Sequence, residues 1–279
     1  MTDDTAIFQH ATLDVPNRAH GYCTDDVGRA LIVACDFARR AETAEPAARL
    51  VRTYLAYLQD AQLADGWFHG FMGYDRRWQD DRGTPDAVGR AIWGLGYAEA
   101  NAPRESWREA ARRLRVRAMP ALEQMTYVRS KAYAGLGLAH ALVAEPEDAP
   151  QVAAALEGCA DAVARDYDAN ATDDWRWCED VITYDNARLP ELLLRAAPLV
   201  DEPRYRARAL AMLDFYAGEV VEDDVFIPVG NDGWYRRGGA KARFGQQPLE
   251  AAATIDAALA ALASTGEERW RVLAETAFS

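Results

Sequence analysis

An all-α fold of alternating inner and outer helices, paired into hairpins that stack as either an open solenoid or a closed toroid, is predicted by three features of the sequence. Alanine, leucine and arginine dominate, and apolar residues recur with helical spacing. Two kinds of helical segment alternate along the chain. A weak internal repeat accompanies them: VGRA at 27–30 returns at 88–91, and Asp185-Asn186-Ala187-Arg188 aligns with Asp26-Val27-Gly28-Arg29. A period of about 50–60 residues exceeds ordinary helical repeats and suits a helical hairpin carrying a long loop.

The first kind of segment is polar at its start and then apolar or small, at 25–40, 85–99, 129–143, 184–197 and 247–263. These are expected to be inner helices, buried along most of their length. Ala134, Gly135, Gly137 and the run Ala251 to Ala253 allow close helix contact. The second kind, at 46–62, 104–118, 150–166, 202–219 and 267–279, is amphipathic with Arg/Glu faces. These are expected to be outer helices with one wet side. Five hairpins are visible. No interdomain linker or low-complexity tract interrupts them, so residues 1–279 read as one domain.

The connections into inner helices are elaborate: HGYCTDD (20–26), DGWFHGFMGYDRRWQDDRGTPD (65–86), ATDDWRWCEDVITYD (171–185) and FIPVGNDGWYRRGGAKARFGQQ (226–247). The last alternates apolar residues around Asn231-Asp232-Gly233, a hairpin signal. Helix connections are usually about 2–8 residues, so the longest of these are better explained by function than by geometry. The connections out of inner helices are short. The long loops are therefore expected at one end of the bundle.

Composition excludes several functions. A net charge of −13 argues against a nucleic-acid or anionic-membrane surface. No apolar run approaches a membrane span, and MTDDTAIFQHATLDVP lacks the basic and apolar regions of a secretory signal. A cytoplasmic protein is expected. Cys23, Cys35, Cys159 and Cys178 form no CxxC pair and read as free thiols. His10, His20, His69 and His140 are dispersed, so neither a metal site nor a cofactor is expected.

Each long loop combines aromatics with carboxylates. A sugar offers apolar C–H faces and a rim of hydroxyls, which flat rings and carboxylates or amides match. Tyr22, Trp67, His69, Asp86, Trp175, Trp177, Asp180, Tyr184, Trp234 and Gln247 are accordingly candidate sugar contacts. The same aromatics also suit hydrophobic loop plugs. Glycoside cleavage needs two carboxyl groups, one to protonate the leaving oxygen and one to act as base or nucleophile. Glu179, which follows two tryptophans, is the candidate acid, with Asp25, Asp26 or Asp185 as its partner. A simpler account competes: Thr24, Thr84 and Thr183 as N-caps, with Asp25, Asp26, Asp86 and Asp185 in first turns and ion pairs Asp26–Arg29, Asp86–Arg90 and Asp185–Arg188. Arg236, Arg237, Lys241 and Arg243 form a basic stretch that suits either an anionic sugar or a solvated loop.

The blocks HATLDVPNRAHGYCTDDVGRALI, WCEDVITYDNARLPELLL and GQQPLEAAATIDAAL resemble helical domains associated with or fused to bacterial glycosyltransferases. Those are similar to the six-hairpin glycosidase superfamily. The resemblance spans roughly residues 6–275 and implies an (α/α)6 toroid; the partner expected from the loop residues is an oligosaccharide or other glycan. It also implies a sixth hairpin, so the chain is expected to be truncated or its ring open. Where those domains carry DDNARAL, this chain has Asp25-Asp26-Val27-Gly28-Arg29-Ala30-Leu31, with valine for asparagine. Two functions follow: a glycoside hydrolase, or a non-catalytic carbohydrate-binding or scaffold domain partnering a glycosyltransferase. A sugar epimerase would want paired histidines. A terpene cyclase-like toroid would want a DxDD motif, which is absent.

Overall fold

Helix boundaries follow the apolar spacing closely. The computed structural model describes residues 1–279 and contains ten helices: α1 (Thr24–Ala38), α2 (Ala44–Ala61), α3 (Pro85–Asn101), α4 (Glu105–Leu122), α5 (Val128–Val143), α6 (Ala149–Asn170), α7 (Arg188–Leu199), α8 (Pro203–Val220), α9 (Pro248–Thr265) and α10 (Glu268–Phe278). No helix is long and apolar enough to cross a membrane. The chain divides into two compact units, Met1–Ala155 and Leu156–Ser279, with α6 running through the division.

In the first unit α1, α3 and α5 lie side by side, with α2 behind α1 and α4 behind α3. The inner row is tight because glycine removes side chains at the crossings. A Cβ on Gly94 would overlap the backbone carbonyl of Gly28, and one on Gly96 would overlap that of Gly137. Behind this row, the fully buried Arg115 of α4 is held by Glu99 at 2.6 Å and Asp148 at 3.0 Å. A buried cation is tolerable only when paired in this way.

In the second unit α7 and α9 are adjacent, α8 packs on α7 and α10 packs on α9. The expectation of nearly complete burial holds for α3, α5 and α7 but not for α1 or α9. Val33 and Phe37 of α1 and Leu259 of α9 are exposed. The reason is neighbourhood: α3 has an inner helix on each side, whereas α1 packs on α3 and α2.

Long loops meet at the helix-start end within each unit. In the first, Tyr22–Cys23 pairs antiparallel with Phe71–Met72, joining the loop before α1 to the loop before α3. In the second, Val181–Ile182 pairs with Tyr235–Arg236, joining the loops before α7 and α9. The two-residue hairpin forms between Val221–Glu222 and Val225–Phe226, not at Asn231-Asp232-Gly233. Asp223 and Asp224 both adopt positive φ there, 49° and 62°, as a hairpin turn twisted like its strands requires. Asn231 and its neighbours instead bond to the segment 242–245.

Thr84 caps α3 as expected, its hydroxyl accepting the amide of Ala87 at 3.2 Å. Thr24 and Thr183 do not cap. The Thr24 hydroxyl donates to the carbonyl of His69 at 2.6 Å, and Cys23 occupies the cap position. α7 starts at Arg188, four residues later than the pattern suggested, because Asp185 turns left-handed (φ 51°) and breaks the helical path. None of the four cysteines forms a disulfide, and all are buried.

Candidate functional site

In the first unit the heads of α1, α3 and α5 form one polar cluster. Arg90 of α3 reaches across the row: it donates to Asp25 Oδ2 at 3.0 Å and to the Tyr133 hydroxyl at 2.8 Å, with its guanidinium 4.4 Å from the Tyr133 ring. Ser130 of α5 donates to Asp86 of α3. Asp26 and Arg29 make the expected ion pair at 2.6 Å. The anticipated local partner of Asp86, Arg90, thus also bridges three helices. Sequence spacing alone does not reveal this, because residues at 25, 90 and 133 are brought together only by helix packing.

Asp25 is the unusual member. Its second oxygen, Oδ1, is buried and has no hydrogen-bond partner. Burial pushes its carboxyl above the ordinary aspartate range; Arg90 and Arg29 oppose this, while Asp86 and Asp26 add to it.

The loop before α3 supplies aromatic surface beside this cluster. The backbone carbonyls of His69 and Gly70 accept from the Thr24 side chain and amide at the head of α1. The His69 ring stacks flat on Trp78 at 4.7 Å, and its Nδ1 lies 2.8 Å from the carbonyl of Asp80. Trp78 also meets Tyr57 edge-on at 5.5 Å. Trp78 was not among the expected sugar contacts, although its loop was.

Tyr22 and Trp67 lie in the packed interior. Tyr22 is 1% exposed, stacks on Phe8 and donates to Asp3 at 2.6 Å, its hydroxyl pKa pushed up to about 12 by burial and by Asp3. Trp67 donates to the carbonyl of Gly83 at 2.8 Å, with Arg82 over its ring. These rings act as plugs, the alternative reading of the loop aromatics.

The second unit divides the same way. Trp175 and Trp177 are buried. Trp175 packs edge-on against Phe215 and Tyr235 and donates to the Glu179 carbonyl at 2.8 Å. Trp177 stacks on Tyr216 at 5.8 Å. The half-buried residues are Glu179, Tyr184, Trp234 and Gln247, while Asp180 is exposed. Tyr184 and Trp234 face each other at 6.2 Å. Gln247 forms the N-cap position of α9.

Asp185 is 2% exposed and lies 3.4 Å from Arg188. Arg188 also pairs with Glu191 at 2.6 Å and with Asp256 of α9 at 2.7 Å. Glu250, missed in the sequence because it reads as an ordinary first-turn acid of α9, binds the Asp185–Asn186 backbone from below. The basic stretch is largely consumed internally. Lys241 and Arg243 hold Glu222, while Arg237 bonds the Thr172 hydroxyl and the Asn170 carbonyl.

No group of three or more histidine, cysteine or carboxylate side chains is arranged to hold a metal ion. His10 and His20 lie edge to face at 4.4 Å, both on the exposed N-terminal segment.

No protein-family model matches the sequence, and no curated protein does. Solved structures do match. Cellobiose 2-epimerase from Bacillus thermoamylovorans aligns over 99% of this chain and 81% of its own, with a TM-score of 0.76 at 11% identity. A D-mannose isomerase aligns over 99% and 78%, with a TM-score of 0.67 at 13% identity. An endoglucanase from the termite Nasutitermes takasagoensis aligns over 91% and 61%, with a TM-score of 0.54 at 12% identity. The chain shares the all-α toroid fold of these structures.

Proposed function

We propose that this chain, with the fold of the six-hairpin glycosidase superfamily, is a carbohydrate-active enzyme that cleaves a glycosidic bond by carboxylate acid/base chemistry. The observation that carries the reading is Asp25: one oxygen fixed by Arg90, the other buried and unpartnered, in a setting that favours its proton. A raised proton affinity is one requirement of a general acid for glycoside cleavage. Asp86, on the neighbouring helix head and hydrogen-bonded by Ser130, is the second carboxyl group of the pair. The Trp78–His69 stack offers a flat surface for a sugar ring.

This exchanges roles expected from sequence, since Asp25 rather than Glu179 takes the acid role. Glu179, Tyr184 and Trp234 remain candidate sugar contacts of the second unit. Two fold neighbours are an epimerase and an isomerase, which favours a second reading, proton transfer on a free sugar. The same Asp25 would serve it.

The test is a panel of oligosaccharides and free sugars screened by thermal shift, with product analysis of each hit. Cleavage of a stabilising oligosaccharide, lost in Asp25→Asn, supports the hydrolase. Interconversion of a monosaccharide supports the second reading. Binding with no turnover of any hit overturns both and leaves the accessory domain that partners a glycosyltransferase.

A further inference from the structure

In the first unit the histidine that stacks on Trp78 is anchored at every polar atom but one. The backbone amide of His69 donates to the carbonyl of Ala61 at 2.9 Å, and its own carbonyl accepts the Thr24 hydroxyl at 2.6 Å. Its Nδ1 lies 2.8 Å from the backbone carbonyl of Asp80 and 3.2 Å from Asp80 Oδ1. A backbone carbonyl can only accept, so the ring hydrogen sits on Nδ1. The Asp80 side chain also accepts the amides of Gly70 at 2.9 Å and Phe71 at 3.1 Å, which ties the strand after His69 to the same group. Glycine at 70 makes room for it: a Cβ there would stand 2.8 Å from Asp80 Oδ2. The remaining ring nitrogen, Nε2, has no hydrogen-bond partner within the chain and is not enclosed; the side chain is 17% exposed. In a neutral ring with its hydrogen on Nδ1, Nε2 holds a lone pair and accepts.

We propose that Asp80 is the positioning residue of His69, and that it makes Nε2 a hydrogen-bond acceptor at the edge of the Trp78–His69 platform, matched to a hydroxyl of the ligand. Imidazole in water shares its hydrogen between both nitrogens; here two acceptors at Nδ1 select one form. The two rings are nearly parallel, 10° apart at 4.7 Å, so Trp78 covers one face of the imidazole. The Nε2 lone pair lies in the ring plane, so a donor meets it at the rim of the stack and not over its face. A sugar offers that pair of features, an apolar C–H face for the rings and hydroxyls around its edge. Assigning the platform to a sugar rests on the function proposed above; the locked ring does not.

The experiment is nitrogen-15 NMR of the histidine rings on the full chain at pH 8, first without ligand and then with cellobiose or D-mannose. In the wild type His69 should show a protonated Nδ1 and an unprotonated Nε2. Asp80→Asn keeps an oxygen for the Gly70 and Phe71 amides but sets an amide donor against Nδ1, so it should move hydrogen onto Nε2. Asp80→Ala should give a mixture of the two forms, and Asp80→Asn serves if the alanine variant does not fold. A wild-type ring with its hydrogen on Nε2 overturns the proposal, as does a wild-type pattern retained in the Asp80 variants. When a sugar binds, the Nε2 resonance of His69 should shift. His69→Phe, which keeps a flat ring against Trp78, should weaken that binding about 3–10-fold, the loss of one hydrogen bond. Binding as tight in His69→Phe as in the wild type overturns the acceptor role. A chain that binds neither sugar counts against the function proposed above, while the ligand-free spectra decide the Asp80–His69 arrangement either way.

Discussion

Asp25 illustrates how one side chain can satisfy a capping rule and still be out of place. An acid in the first turn of α1 is favourable to the helix dipole. If that were its whole role, Asp25→Asn would lower stability. The enclosed, half-unpartnered carboxyl makes the opposite prediction. Its folded pKa is raised above the unfolded value, so its contribution to stability is fully present below that unfolded value and is lost as pH rises through the folded pKa. Removing the charge should then raise Tm at pH 8, by ~2–4 °C for each kcal/mol recovered in a chain of this size. The same variant should abolish turnover. A fall in Tm at pH 8 would return Asp25 to a capping role. Arg90→Gln should raise the Asp25 pKa further, a change measurable by carboxyl-carbon NMR titration.

Among the helices, the decisive feature is backbone contact at glycine. α1, α3 and α5 approach closely because Gly28, Gly94, Gly96 and Gly137 present no Cβ at the crossings. Gly94→Ala should cost about 1–3 kcal/mol through overpacking. Gly158 of α6 is the control: a Cβ there meets nothing within 4 Å. Gly158→Ala should stabilise by about 0.5–1 kcal/mol through helix propensity. Urea denaturation of the two variants checks both signs. Equal, small effects would mean that the inner row has room to spread.

For the molecule as a whole, titration sets two opposing trends. Glu191 and Asp148 have lowered pKa values: burial acts to raise them, but Arg188 and Arg195 around Glu191, and Arg115 against Asp148, outweigh it. Their contribution is lost as pH falls through those lowered values. Asp25, Glu250 and Asp256 are raised, burial being the largest cause in each, and their contribution is lost as pH rises through the raised values. Maximum stability should lie on the mildly acidic side of neutrality. A double variant, Asp25→Asn with Glu250→Gln, should flatten the alkaline decline in a plot of Tm against pH. An unchanged decline would show that other groups control it.

The sequence by itself determined the order and approximate bounds of the ten helices, because 3.6-residue spacing is a local property that packing reinforces. It also located the long loops, whose aromatic and acidic content is visible without any structure. It did not separate plugs from platforms: Tyr22, Trp67, Trp175 and Trp177 are buried, while Trp78 and Trp234 are not, and burial depends on what packs across a loop. Nor did it show that Arg90 joins Asp25 to Tyr133, or that Glu250 holds Asp185. Those pairs lie 43 to 65 residues apart along the chain. Side-chain spacing encodes the helix that a residue belongs to, whereas the electrostatic surroundings that make a carboxyl reactive come from other helices, and only the tertiary structure brings those alongside.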